Sequence, residues 1–402
     1  MIERSSILTF ANTHANDDPN RLCLWQERYP DIDLGKVAQQ LEGRKQAKTK
    51  WPWLADINSY WYPPRLNREQ SSSEATARYK SETLIPIGCK LIDLTGGMGI
   101  DCALSAPRCS QVDYIDINPE LCENMAYNCQ VLGLRNVRCH CADSIEWIEQ
   151  QQLDSNIQPT VIYVDPARRD ARGNRVAAFE DSIPNILPRL AMIMGHCDKL
   201  IIKASPMIDI AAARKELSNY LTEIHIVALH NECKEILFVC QQQPRYPYDS
   251  ITCVDLPRQP ITFDHATDAC IPTHYCNMLA QYLYEPNAAL MKSGLYHSIG
   301  QQYAVEEIDR NSHLYTHPDL IKDFPGRIFQ VIQEVKLNAK SVRQVMTAMG
   351  DSGSCAHVIT RNYPAAAAVL QKQLKLREGG SLFIIATTMQ GKKIGVLCRQ
   401  IL

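Results

Sequence analysis

Four aspartates and one glycine run have the types and spacing to do chemistry. Asp93 sits in the apolar string Leu91-Ile92-Asp93-Leu94, followed at once by Thr95-Gly96-Gly97-Met98-Gly99. Glycines there let the backbone turn sharply and let a ligand approach with no Cβ in the way. A strand, a glycine turn and a helix make the first half of a βαβ nucleotide site. Asp116 ends the next apolar run, 23 residues after Asp93. An acid at about 20 residues' separation can accept both hydrogen bonds of a ribose diol. Asp143 follows the third run, in Cys141-Ala142-Asp143-Ser144, where a side chain can meet an adenine amino edge. Asp165 ends the fourth, in Val164-Asp165-Pro166-Ala167-Arg168-Arg169. A single strand-end aspartate is commonly a helix cap or turn former. Four in consecutive register after a glycine loop point instead to a nucleotide-type cofactor at the carboxyl edge of a sheet. The expected cofactor-binding set is Asp93, Thr95, Gly96, Gly97, Gly99, Asp116, Ile117, Asp143 and Ser144.

Other residues gather at the same edge. Arg168 and Arg169 can clamp phosphate or stack on a base as planar cations, or bond locally to carboxylates such as Asp170. Lys203, after the fifth run, can meet substrate phosphate or simply pair with Asp165. Asn231, Glu232 and Lys234 fall in a turn before the seventh run. Thr95 opens the glycine run without being a glycine itself, so its φ must stay negative, and its hydroxyl is expected to be free for the cofactor. Cys139-His140-Cys141 lies on a strand, where alternation puts His140 on the opposite face from the two thiols. With no second pair at metal-ligand spacing, no metal site is expected.

The elements that must position these residues alternate regularly between 90 and 240. Strands are expected over 91–94, 112–117, 137–141, 160–164, 199–203, 223–229 and 236–240, with helical patterns between the first six. This implies a mostly parallel α/β sheet with helices on both faces. The last two strands are joined too closely for a parallel crossover, so that pair should be antiparallel. Before the sheet, residues 1–70 read as a helical domain, with apolar positions 34, 37, 38 and 41 on one helix face. Four of the five tryptophans lie there and read as core. Ser73 before Glu74 is a helix start leading to Leu84. The sheet domain is drawn over 71–245. Beyond it, 246–326 reads as a proline-rich linker and a small α+β module, and 327–402 as a second small α+β domain.

Composition bounds the class. The chain has 402 residues, 45% hydrophobic and 21% charged, with no apolar run long enough for a membrane span. Met1-Ile2-Glu3-Arg4 lacks the pattern of a secretory signal, and the 16 scattered cysteines read as reduced cytosolic thiols. The formal net charge of −2 is uneven. From Arg327 onward, eleven basic residues face three acids, so that segment carries +8 and leaves −10 for residues 1–326. A basic terminal domain on an acidic body suggests a polyanion partner.

Taken together, the strings resemble the class I S-adenosylmethionine-dependent methyltransferases. Asp93-Leu94-Thr95-Gly96-Gly97-Met98-Gly99 is similar to their glycine loop, and Asp116 and Asp143 to their ribose and adenine acids. Asp165-Pro166 is similar to their fourth motif, which implies the catalytic positions. Nicotinamide folds share the loop and the second acid but do not call for Asp-Pro after the fourth strand. Ala167 and Arg168 stand where nitrogen-directed nucleic-acid enzymes often carry proline and an aromatic, so the usual stacking residue is missing. Ser72-Ser73-Glu74, Lys203-Ala204-Ser205-Pro206, Tyr284-Glu285-Pro286-Asn287, Phe324-Pro325-Gly326-Arg327 and Arg361-Asn362-Tyr363-Pro364 narrow the resemblance. They resemble a bacterial family that joins such a domain to a ferredoxin-like module and a C-terminal THUMP-like domain. That resemblance implies a Rossmann-like seven-stranded sheet and S-adenosylmethionine as cofactor. It also implies an RNA acceptor (tRNA or rRNA) methylated by direct SN2 transfer. A small-molecule methyltransferase and a non-catalytic RNA-binding protein on the same fold are the alternatives.

Overall fold

The computed structural model describes residues 2–151, 159–166, 179, 183–217, 219–242, 250–264, 268–272, 274–350 and 354–401. The chain divides into two compact units, Met1–Leu229 with Lys234–Pro247, and His230–Cys233 with Tyr248–Leu402.

The first unit holds the sheet expected from the apolar runs. Its strands are β1 (Lys90–Asp93), β2 (Gln111–Asp116), β3 (Val137–Cys141), β4 (Thr160–Val164), β5 (Lys199–Ala204), β6 (Leu221–Leu229) and β7 (Glu232–Gln241). They lie in the order β3-β2-β1-β4-β5-β7-β6. Neighbours from β3 to β5 are parallel, and β7 runs antiparallel to β5. Central strands are buried on both faces, which is why β1, β2, β4 and β5 read as continuous apolar runs. His230 and Asn231, between β6 and β7, both have positive φ (53° and 60°). A two-residue turn with both φ positive matches the twist of an antiparallel pair. The Rossmann-like class I methyltransferase sheet is therefore present, with its reversed seventh strand.

Several helices are capped by their own preceding side chains, among them the one start read from the sequence at Ser73. In α1 (Ile2–Thr13), α2 (Pro19–Cys23), α3 (Leu34–Lys50) and α4 (Arg65–Gln70), the clearest stripe is that of α3, which buries Leu34, Val37, Ala38 and Leu41. Trp51 and Trp61 are core residues, and the Trp51 indole N–H donates to the Ser72 carbonyl at 2.8 Å. Ser73 caps α5 (Glu74–Leu84) by accepting from the Thr76 N–H. The glycine loop leads into α6 (Ile100–Ser105). Asn118 and Gly133 bracket α7 (Pro119–Leu132), and Asp143 caps α8 (Ser144–Glu149). Two further helices, α9 (Leu190–Gly195) and α10 (Ile210–Leu217), flank β5 in the chain.

The second unit begins with a hairpin, β8 (Ser250–Leu256) and β9 (Ile261–Asp264). Sequence reading takes this stretch as unpatterned linker. The prolines Pro257 and Pro260 sit in the loop between the strands, where proline belongs, but they make the whole segment look like coil. Then come β10 (Tyr282–Pro286), α11 (Ala288–Ser293), α12 (Tyr296–Tyr303), β11 (Glu306–Glu307) and β12 (Tyr315–His317). They are followed by β13 (Gly326–Val335), α13 (Ala339–Ala348), β14 (His357–Thr360), α14 (Ala367–Gln373), β15 (Leu382–Met389) and β16 (Lys392–Gln400). One sheet in the order β11-β12-β10-β13-β16-β15-β14 includes the strands from β10 onward. Leu283, Leu314 and Phe329 share a core with Ile385, Val396 and Cys398. Val342, Met346 and Leu370 of α13 and α14 close a second core over β15 and β16. Asn231 serves this unit structurally: its N–H donates to Asp255, and its side-chain oxygen accepts from the first N–H of α11.

Candidate active site

The carboxyl edge of β1, β2 and β4 brings the first, second and fourth predicted acids together. Asp93 ends β1 fully buried. Its Oδ1 accepts the Thr95 N–H at 3.0 Å, and the Cys102 thiol donates to its Oδ2 at 3.2 Å. Burial, opposed by those donors and reinforced by the neighbouring Asp101 and Asp165 carboxylates, pushes the Asp93 carboxyl up to about 7.

The glycine loop is laced to β2. The Gly96 N–H donates to the Ile115 carbonyl at 2.9 Å and the Gly97 N–H to Asp116 Oδ2 at 2.8 Å. The Tyr114 hydroxyl donates to the Gly97 carbonyl at 2.7 Å. The three glycines are needed for different reasons. A Cβ on Gly96 would lie 2.2 Å from the buried Tyr114 ring, and one on Gly99 would lie 2.2 Å from Met125 Sδ. Gly97 has φ +54°, and a Cβ there meets nothing nearer than the Thr95 carbonyl at 3.7 Å. Sequence reading makes Gly97 and Gly99 the least tolerant positions. Packing adds Gly96 to them, while at Gly97 the constraint is the left-handed φ rather than a neighbouring atom.

Asp116 is half-buried, and its Oδ1 accepts the Asn118 N–H at 2.8 Å. Beside it Ile117 is 71% exposed, a large apolar side chain left without cover within its own unit. Asp143 is exposed and uses Oδ1 to cap α8 through the Ile145 and Glu146 N–H groups, with Ser144 at the first helical position. The Thr95 hydroxyl is not free, as the sequence suggests. It accepts the Asp165 N–H at 2.7 Å and reaches Asp93 Oδ1 at 3.4 Å, tying the ends of β1 and β4 together.

Asp165 is held from below. Of the two partners open to Lys203, phosphate or Asp165, the structure realises the second: Lys203 Nζ donates to Asp165 Oδ2 at 2.5 Å and is only 3% exposed. Glu235 Oε2 lies 3.9 Å from the same ammonium, and Lys80 Nζ sits 2.9 Å from Glu235 Oε1 and 3.0 Å from Asp101 Oδ1. Ser72 donates to Asp101 and accepts from Lys80. Burial penalises the Lys80 ammonium, but Asp101 and Glu235 more than restore it and raise its pKa. Asp101 is held below the usual carboxylate range, Lys80 and Lys203 overcoming its burial. Sequence reasoning does not single out Lys80, Asp101 or Glu235. The signal is a charged residue on an apolar face: Lys80 lies on the buried stripe of α5, and Glu235 abuts the run 236–240. With Asp93 ionised, the cluster has four carboxylates against two ammonium groups. Its spare negative charge suits a cationic ligand.

Pro166 is buried next to Asp165, whereas Arg168 and Arg169 lie outside the described residues. Two thiols of α7 lie against the pair of Cys139 and Cys141, Cys122 beside Cys141 and Cys129 beside Cys139. Among the described residues no group of His, Cys, Asp or Glu is arranged to hold a metal. Nor is any described helix long and apolar enough to cross a membrane.

Comparison with known proteins agrees with this architecture. A family model for a ferredoxin-like domain matches residues 282–325, and one for a THUMP domain-like segment matches 326–400. The crystal structure of a "putative methyltransferase" from Porphyromonas gingivalis W83 is 30% identical. That match spans 100% of this chain and 99% of the other, with a TM-score of 0.88. An rRNA methylase from Streptococcus thermophilus is 14% identical over 42% of this chain and 95% of its own, with a TM-score of 0.31. A "putative methyltransferase" from Streptococcus mutans, solved with SAH, is 12% identical over 42% and 96%, with a TM-score of 0.30. No curated protein sequence matches the chain. The full-length likeness to the Porphyromonas protein, joined to the sheet order and the two family-model matches, places the chain in one family. It belongs to the bacterial methyltransferase family in which a class I sheet of the S-adenosylmethionine-dependent type precedes a ferredoxin-like module and a THUMP-like domain.

Proposed function

We propose that the protein transfers a methyl group from S-adenosylmethionine to RNA. The observation that carries this reading is the carboxylate-lined edge around Gly97. Asp93, Asp116 and Asp165 converge on a loop whose one open Cβ direction is at Gly97. The residues fit the cofactor. Asp116 would take the ribose hydroxyls, Ile117 would cover the adenine face, and Asp143 with Ser144 would meet the adenine edge. Asp93, Thr95, Gly96, Gly97 and Gly99 would form the wall behind the methionine end. When bound, S-adenosylmethionine supplies a methyl group on a sulfonium, an electrophile that requires in-line positioning more than a strong base. Asp165 and Pro166 position the acceptor: Lys203 holds one carboxylate oxygen and leaves Oδ1 to accept a hydrogen bond from a target N–H. RNA as acceptor is supported by the +8 of the segment from Arg327 onward and by its THUMP-like character.

Two measurements test this. Calorimetric titration with S-adenosylmethionine should show stoichiometric binding, and its absence would remove the enzyme reading. Filter binding of bulk tRNA and rRNA should weaken by about tenfold or more between 50 and 200 mM salt, as for a protein that neutralises two or more phosphates. Salt-insensitive or absent RNA binding with intact cofactor binding would favour a small-molecule acceptor. Mass spectrometry of nucleosides from cells lacking the gene then names the product.

Asp93 gives the site a pH signature. Its folded value of about 7 lies above the ordinary 3.8, so without ligand the folded state holds a proton that the unfolded state has lost. The contribution to stability therefore rises as pH falls from about 7 towards 4, and is lost above 7. A cation beside the carboxylate expels that proton. S-adenosylmethionine affinity should thus rise between pH 5.5 and 7.5, below the α-amino range of about 7.7–8.0. Calorimetry at pH 6.5 in buffers of different ionisation enthalpy should show proton release. Asp93→Asn should abolish that release.

A further inference from the structure

The second unit contains a charged constellation that the methyl-transfer chemistry does not use. Glu285 of β10 is 2% exposed, yet it holds two arginines. Arg327, its direct cross-strand partner on β13, donates to Oε2 from Nε at 2.6 Å and from Nη2 at 2.5 Å. Arg361, just past β14, donates to Oε1 from Nε at 3.0 Å and from Nη2 at 2.7 Å. Three of the sequence strings that mark the family thus converge on one carboxylate. Each guanidinium turns its Nε edge to Glu285, and among the described residues none is bonded to its Nη1. The two arginine side chains are 34% and 36% exposed.

One arginine would neutralise one carboxylate. The second leaves a single excess positive charge, carried by two planar forks whose tilt is fixed from behind. Flanking groups add to it. Lys393 Nζ is anchored at the Asn362 carbonyl, next to Arg361. The Tyr296 ring, stacked on His313 at 3.5 Å, is close enough for Arg361 to act on its hydroxyl electrostatically. The opposing acid is Glu307, which is buried and bonded to His313 Nδ1 at 3.1 Å. Preorganised guanidinium forks match phosphate oxygens bidentately. One excess charge matches a phosphodiester, which carries one negative charge, better than a phosphomonoester dianion.

We infer that Arg327 and Arg361, locked by Glu285, form a phosphodiester-binding site through which the second unit grips an RNA backbone. The inference rests on the RNA reading above and adds to it the residues that make the contact. Removing Arg361 leaves the Glu285–Arg327 pair neutral and intact, so Arg361→Gln should fold. A purely structural arginine would do the reverse, lowering the melting temperature and leaving RNA binding alone.

The test is fluorescence anisotropy of the full-length protein with labelled bulk tRNA at 50 to 200 mM KCl, together with thermal melting of each variant. Arg361→Gln should bind about fivefold to tenfold more weakly, with a log–log salt slope shallower by about one. Arg361→Lys should keep the slope and lose part of the affinity, because the charge remains and the fork is gone. Lys340→Gln, an exposed residue of the same domain, should stay within about twofold of wild type. Equal behaviour of Arg361→Gln and Lys340→Gln would overturn the site while leaving the RNA reading standing. Failure of the wild-type protein to bind tRNA at low salt would overturn both.

Discussion

Gly97→Val should lose at least about 100-fold in S-adenosylmethionine affinity, about 2.7 kcal/mol, in a protein that remains folded. The two effects separate because of where the Cβ would go. At Gly97 the Cβ meets nothing nearer than 3.7 Å, so the main cost to the unliganded fold is backbone strain. A left-handed φ costs an L-residue about 1–2 kcal/mol, and somewhat more when the side chain is β-branched. In a unit of this size that lowers the melting temperature by roughly 2–8 °C. On the proposed reading the cofactor lies against this loop, so the same branched side chain would take space that the cofactor needs. Gly96→Ala inverts the outcome. Its methyl would stand 2.2 to 2.5 Å from a Tyr114 ring that is fully buried and tied to the Gly97 carbonyl. Overpacking of this kind costs about 1–3 kcal/mol or more. Melting curves beside calorimetric titrations distinguish the two. Wild-type affinity in Gly97→Val would mean that the loop does not border the cofactor.

How much of this was legible beforehand follows from where the information resides. Asp93, Asp116 and Asp165 could be put on one edge because parallel strands buried on both faces are written as apolar runs, and each run ends in its acid. The reversed seventh strand was legible from a connection too short to cross over. The β8–β9 hairpin was not, since Pro257 and Pro260 are local signals that outweigh a weak alternation. Three features belong to tertiary contacts that no spacing encodes. The Gly96 constraint comes from a ring on the next strand, and the Thr95 hydroxyl bridge from the end of β4. Lys80 reaches Glu235 across 155 positions of sequence. What the sequence does show for these is an anomaly, a charge on a helix face that is otherwise core, without the partner that explains it.

That charge network makes the second large prediction. Lys203→Met keeps the volume and removes the ammonium between Asp165 and Glu235. Asp165 then loses the ammonium that pairs with it, and Glu235 is left with Lys80, which it shares with Asp101. Breaking a buried pair by deleting one partner costs about 3–5 kcal/mol. Asp165 is 27% exposed and partly screened, which puts the expectation at the lower end of that range. Turnover should fall further than stability alone explains, by about 100-fold at temperatures where the variant is fully folded. On the proposed reading Lys203 holds Asp165 Oδ2 and leaves Oδ1 for the acceptor, and misplacement by about 1 Å costs that much. Asp165→Asn removes the same unpaired charge from the other side, so the double variant Asp165→Asn/Lys203→Met should melt above Lys203→Met alone while gaining no activity. The cycle reads stability and turnover separately. If Lys203→Met costs as much in the Asp165→Asn background as in wild type, the two residues do not act as a unit, and Lys203 is not the positioning group for Asp165.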